Sequence, residues 1–216
     1  MTNRTDNFNR TAENPLNVPS DAGSAWVEVV GTDWQTDGTQ AFAAGGVESG
    51  SIVVLEASTP DVVVECTFAV ITDSPAAEMG LTARVVDSSN YLRVLWQPTV
   101  PRIRFEKVVA GSPSVLGDFS VTLVSGDTLT LECDASDNLD VTINGGAPVI
   151  STTDSAGNTG TQHGLFANWG SGPDSARWDN FSITEIGGAP ATQIFLLTPG
   201  RTDGLGHGGI FPGGRL

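Results

Sequence analysis

Hydrophobic and polar residues alternate with a period of two along most of this chain. In "DVVVECTFAVI" (61–71), Val62, Val64, Cys66, Phe68 and Val70 fall on one side. In "RIRFEKVV" (102–109), Ile103, Phe105 and Val108 are expected to point inward, with Arg102, Arg104 and Glu106 outward. The same signal runs through "AWVEVV" (25–30), "MGLTARVV" (79–86), "YLRVLW" (91–96), "FSVTLV" (119–124) and "TLTLEC" (128–133). It continues in "NLDVTING" (138–145), "HGLFANW" (163–169) and "ARWDNFSITEI" (176–186). Turn residues separate these runs, and none sustains a helical period. Roughly a dozen short antiparallel strands are predicted, which need two packed layers to bury one face each. The predicted fold is all-β: an antiparallel two-sheet jelly-roll sandwich with a C-terminal arm.

The pattern stops at Ile186. Residues 187–216, "GGAPATQIFLLTPGRTDGLGHGGIFPGGRL", are rich in Gly and Pro, which form elements poorly. Two apolar islands interrupt them, Ile194, Phe195, Leu196 and Leu197, then Ile210 and Phe211. The expected organisation is a β-sandwich over 1–186 and an extended docking arm over 187–216, with the islands contacting a neighbouring subunit.

Composition narrows the function. The 216 residues are 39% hydrophobic, enough for a core. Ten basic residues against twenty-five acidic ones leave a net charge of −15, with no basic cluster. Nucleic-acid binding, which needs Lys and Arg to displace counterions, is not expected. No apolar run is long enough to span a bilayer. The polar start "MTNRTDNFNR" lacks the apolar stretch of a secretory signal. Without export, Cys66 and Cys133 are expected as buried free thiols, the alternative being one inter-sheet disulfide.

"DNFNRTAENPL…SAWVEV" (6–29), "GLTARVVDSSNYLRVLW" (80–96), "SGDTLTLECDASDNLDVTINGG" (125–146) and "HGLFANW…ARWDNFSITE" (163–185) follow one another in a telling order. Together they resemble concanavalin A-like (laminin-G/glucanase-type) jelly-roll domains, over roughly residues 5–186. The resemblance implies first and last strands side by side, so Phe8 and Phe181 would fill one end of the core. It implies a turn with positive φ at Asn144–Gly145. Glucanases of this type carry Glu-x-Asp-x-Glu on one strand, and the nearest match is Glu132, Asp134 and Asp137. The second glutamate is missing and Asp137 falls in a turn, so no catalytic residues are assigned. His163 and His207 stand beside glycines in loop-like contexts.

Related domains often hold one structural Ca²⁺. Asp179 matches the position of its carboxylate ligand, with carbonyls around Gly45 as co-ligands. The alternative is that Asp179 and Asn180 serve only a turn. Sugar binding calls for exposed rings. Trp34 and Trp169 are the expected surface rings, with Tyr91 and Trp96 as further candidates, whereas Trp26, Trp96 and Trp178 also fit packed strand positions. The leading expectation is a non-catalytic bacteriophage virion protein, a minor tail or capsid-decorating subunit assembled in the host cytoplasm. It would be a homo-oligomer held to other virion subunits by the arm, presenting loops to a host surface glycan. The alternative is a carbohydrate-binding or adhesion module, and third a divergent glycoside hydrolase.

Overall fold

The computed structural model describes residues 3–16, 24–31, 34–44, 50–71, 78–168 and 176–186. Trp169, Gly45 and the arm residues Ile194, Phe195, Leu196, Leu197, Ile210 and Phe211 lie outside them.

Fifteen strands form two antiparallel sheets among the described residues. The eight-stranded sheet contains β1 (Asn3–Asp6), β3 (Trp34–Thr36), β4 (Ala41–Ala43), β6 (Val62–Val70), β11 (Thr128–Cys133), β12 (Asn138–Ile143), β13 (Ile150–Thr153) and β15 (Arg177–Glu185). The seven-stranded sheet contains β2 (Val27–Val30), β5 (Ser51–Glu56), β7 (Glu78–Asp87), β8 (Asn90–Gln97), β9 (Arg102–Val109), β10 (Ser112–Ser120) and β14 (Gln162–Asn168). Its order is β10-β9-β8-β7-β14-β5-β2. The strands predicted from alternation are present apart from the one over 119–124, and β5 was not among them. "SIVVLE" forms β5 although its apolar run shows no alternation, because both of its faces are covered. Strand β10 covers Ser112–Ser120, not 119–124. A tight turn at Ala110 and Gly111, both at positive φ, folds it back on β9, and its edge position tolerates Pro113.

The inner faces make one core that includes Val62, Val64, Phe68, Leu81, Val94, Phe105, Leu131 and Leu165. Both Asp-Asn-Phe phrases converge on it. Strand β1 pairs with β15, placing Asp6 opposite Phe181. The Trp26 ring stands 6.0 Å from Phe8 and 5.0 Å from Phe181. Buried Asp6 accepts hydrogen bonds from the Trp26 indole N–H and the Phe8 amide, at 2.6 and 2.8 Å. A shared core end is therefore built from residues at both ends of the sandwich.

Cys66 and Cys133 are buried free thiols on adjacent strands of one sheet. Cys66 faces Leu129 and Cys133 faces Val62, four positions apart, so an inter-sheet disulfide is ruled out. Burial pushes the Cys133 thiol up to about 12 and Cys66 well above its usual value.

His163 is not a loop residue. It lies in β14, fully buried, where its Nδ1 accepts from the Arg84 amide at 3.2 Å and its Nε2 lies 3.2 Å from the Thr59 carbonyl. Burial lowers its pKa to about 4, so the neutral ring donates through Nε2. Arg84 takes positive φ and buries its guanidinium between the carboxylates of Asp61 and Asp137. It also donates to the carbonyls of Pro60 and Asp134, tying two end loops together.

Candidate functional site

The inner faces are filled, so the groups a ligand could reach lie on the outer faces. Alternation along β8 turns Tyr91, Arg93, Leu95 and Gln97 away from the core. Their partners on β9 are Val108, Glu106, Arg104 and Arg102. Val108, expected inward, therefore lies on the outer face, because it is two residues from Glu106 and four from Arg104. Tyr91, Leu95 and Val108 join Ile52, Val54, Val85 and Phe166 in a second buried cluster, separate from the core.

A polar ladder crosses the same face. Asn168 on β14 donates to Glu78 on β7 at 3.2 Å, and the Gln97 amide donates to the other Glu78 oxygen. Arg102 Nε donates to Gln97 Oε1 at 2.7 Å. Arg104 Nε donates to Asp118 on β10 at 2.9 Å, and that bond raises the Arg104 pKa. Arg93 donates twice to Glu106 Oε2, at 2.9 and 2.6 Å. Glu106 is only 6% exposed, so the pair is held largely out of water. Such charge-assisted bonds need fixed geometry, which the β8–β9 register supplies.

The Arg93 guanidinium carbon also stands 4.9 Å from the Phe166 ring centre. Arg93 is on β8 and Phe166 on β14, with β7 between them. Strands are about 4.8 Å apart, so the Arg93 side chain must cross β7 to reach that ring. What it crosses is nearly bare. Gly80 on β7 and Gly164 on β14 sit in adjacent rows. A Cβ at Gly80 would lie 1.8 Å from the Val94 carbonyl oxygen, and one at Gly164 would lie 1.9 Å from that of Val53. Between them Thr82 turns outward, fully buried, and its hydroxyl has no hydrogen-bond partner. Burial raises the Tyr91 phenol pKa, partly offset by Arg93.

The ring candidates divide. Tyr91 is on this face, 9% exposed. Trp34 is a correction: it is fully buried and packs on Trp178 at 5.1 Å. Its turn-like sequence context hid the pairing of β3 with β4 that carries it inward. Trp96 is in the core as well, because its alternation sets it opposite Leu95 and Gln97. Asp179 is half-buried at a bulge in β15, where its carboxylate accepts from the Asn180 amide at 2.7 Å. Among the described residues no three His, Cys, Asp or Glu side chains converge on a point that could hold a metal. The carbonyls around Gly45 that would join Asp179 as Ca²⁺ ligands lie outside the described residues, and the contact seen at Asp179 is the turn bond to Asn180. Glu132 lies on β11 of the eight-stranded sheet and Asp134 just past its end, neither in the ladder, and Asp134 caps the turn by accepting from the amides of Ser136 and Asn138. Sequence reading missed the Arg93–Glu106 pair and Phe166. The signal was present in "YLRVLW", where Tyr91 and Leu95 break strict alternation by putting apolar residues on the outer face.

Comparison with known proteins agrees on architecture. The carbohydrate binding module CBM66 of Bacillus subtilis superposes with a TM-score of 0.52 at 20% identity, over 74% of this chain and 92% of that one. The xylan β-1,4-xylosidase of Bacillus halodurans gives 0.58 at 13% identity, over 84% of this chain and 39% of the enzyme. The exoplasmic/lumenal domain of VIP36, in a Ca²⁺/Man3GlcNAc-bound form, gives 0.54 at 12% identity, over 75% and 84%. The fold is a concanavalin A-like jelly roll. At these identities the likeness is one of fold. No family model and no curated protein sequence matches the chain.

Proposed function

We propose that this chain is a non-catalytic carbohydrate-binding protein that holds its ligand on the outer face of the seven-stranded sheet. One observation carries the proposal. This face joins a buried apolar cluster to a hydrogen-bonded ladder of charges, and among the described residues no strand packs across it. Donors and acceptors held in fixed positions on a packed apolar support are what recognition of sugar hydroxyls requires. The architecture shared with a carbohydrate binding module and a lectin-like domain supports the same reading. Its non-catalytic character is supported by the carboxylates themselves. Glu78, Glu106 and Asp118 are each tied to an amide or a guanidinium. The fold's neighbours give a virion role no support. Mounting on a virion through residues 187–216 is a separate proposal, checked by whether truncation after Ile186 abolishes attachment.

A glycan array probed with the full chain, followed by calorimetry on the hits, tests the main proposal. Binding to at least one saccharide, weakened by Glu106→Gln and untouched by Glu132→Ala, is the expected result. Absence of saccharide binding, or equal sensitivity to both substitutions, overturns it.

A further inference from the structure

The ladder also constrains the kind of sugar, an inference that rests on the proposal above. Its cations are Arg93, Arg102 and Arg104, and its anions are Glu78, Glu106 and Asp118. Arg93 is matched by Glu106, and Arg104 by Asp118 and Glu106. Arg102 lies 3.6 Å from Asp118. The face is therefore close to neutral on a chain whose net charge is −15. A uronate or sulfate arriving there would find its would-be partners already paired and the long-range field repulsive. A sugar hydroxyl is both donor and acceptor, and suits a guanidinium lying beside a carboxylate.

Among the described residues no ring on this face is open for stacking either. Of the described aromatic residues on this face, Phe166 already lies under Arg93 and Tyr91 is 9% exposed. Phe119, the exposed ring on β10, pairs with Ile103 and so belongs to the opposite side of the sheet. A flat polysaccharide surface, which needs a platform of rings, finds none among the described residues.

The floor beneath Arg93 supplies the second observation. The Thr82 hydroxyl is buried without a partner where Gly80 and Gly164 leave the sheet bare. A buried hydroxyl is normally satisfied, and this one is left open to a partner from outside the chain. We infer that the site takes a neutral saccharide by its hydroxyls, one pair of them engaging Arg93 and Glu106 and one meeting Thr82 beneath.

The test compares neutral oligosaccharides with uronate-bearing and sulfated ones by calorimetry on the full chain, at low and high salt, with Thr82→Val beside Glu106→Gln. Thr82→Val keeps the shape, removes only an unpaired hydroxyl, and should fold at least as well as the parent. Expected are binding of neutral sugars that is insensitive to salt, a loss of about 5-fold in Thr82→Val and about 10-fold or more in Glu106→Gln. Preference for acidic glycans, with affinity falling as salt rises, overturns the inference and leaves carbohydrate binding standing. So does parental affinity in Thr82→Val. If no glycan of any class binds, the proposed function fails first.

Discussion

The two sheets treat their inner faces alike and their outer faces differently. On the eight-stranded sheet, β6 alternates buried Val62, Val64, Cys66 and Phe68 with half-buried Val63, Glu65 and Thr67. Its neighbour β11 turns Thr130 and Glu132 outward, and Thr130 donates to Glu65 at 3.0 Å. This is the pattern of a sheet with one face in water. On the seven-stranded sheet the outer residues Ile52, Val54, Leu95 and Phe166 are as buried as the core. The charges beside them are paired in rows. A solvated face has no reason to bury apolar side chains or to fix its charges so closely. The contrast is what favours the seven-stranded sheet for the proposed site, where pattern alone would treat both sheets as equivalent.

The largest test of that contrast is Phe166→Ala. It empties a buried ring position and removes the surface under Arg93, and should cost about 3–5 kcal/mol in urea unfolding. A cost below about 1 kcal/mol would mean that the second cluster is not a core, and the two outer faces would become equivalent.

Acid titration sharpens the comparison by separating interior from surface. His163 has its pKa lowered to about 4 from the usual 6.5. Below pH 6.5 the unfolded ring takes up a proton that the folded ring refuses, so stability falls as pH drops from 6.5 toward 4. At about 1.4 kcal/mol per unit, this is a loss of about 3 kcal/mol. His163→Gln should flatten that slope in pH-dependent unfolding. An unchanged slope would shift its origin to the carboxylates.

Glu106→Gln comes next. It leaves Arg93 facing a neutral amide in a poorly hydrated place, at a cost of about 2 kcal/mol in stability. Glu132→Ala, on the other outer face, should change stability by no more than about 0.5 kcal/mol. If both cost the same in chemical denaturation, the ladder is an ordinary surface ion-pair row.

Much of the fold is legible from residue order. Period-two runs announce the strands, and Asn144 and Gly145 take the positive φ that their turn chemistry predicts. The repeated Asp-Asn-Phe phrase also proves informative, although its two copies behave differently. In the first, Phe8 itself takes positive φ and Asp6 anchors Trp26; in the second, Asn180 takes positive φ and bulges β15. The candidate site was far less legible. Trp34 reads as a turn residue from its neighbours, yet it is fully buried. Arg93 and Glu106 read as unrelated surface charges, although they sit directly across from one another in the sheet.

Side-chain alternation is a local property, dictated by backbone geometry that each residue carries with it, so strand identity and the inward set follow from the chain alone. Which outer face would be covered, and which charges would meet, depended on bringing β14 between β5 and β7, joining Phe166 to Arg93 across more than seventy intervening residues. Those neighbours are set by sheet order, a property of the whole sandwich, and only the assembled tertiary structure could decide them.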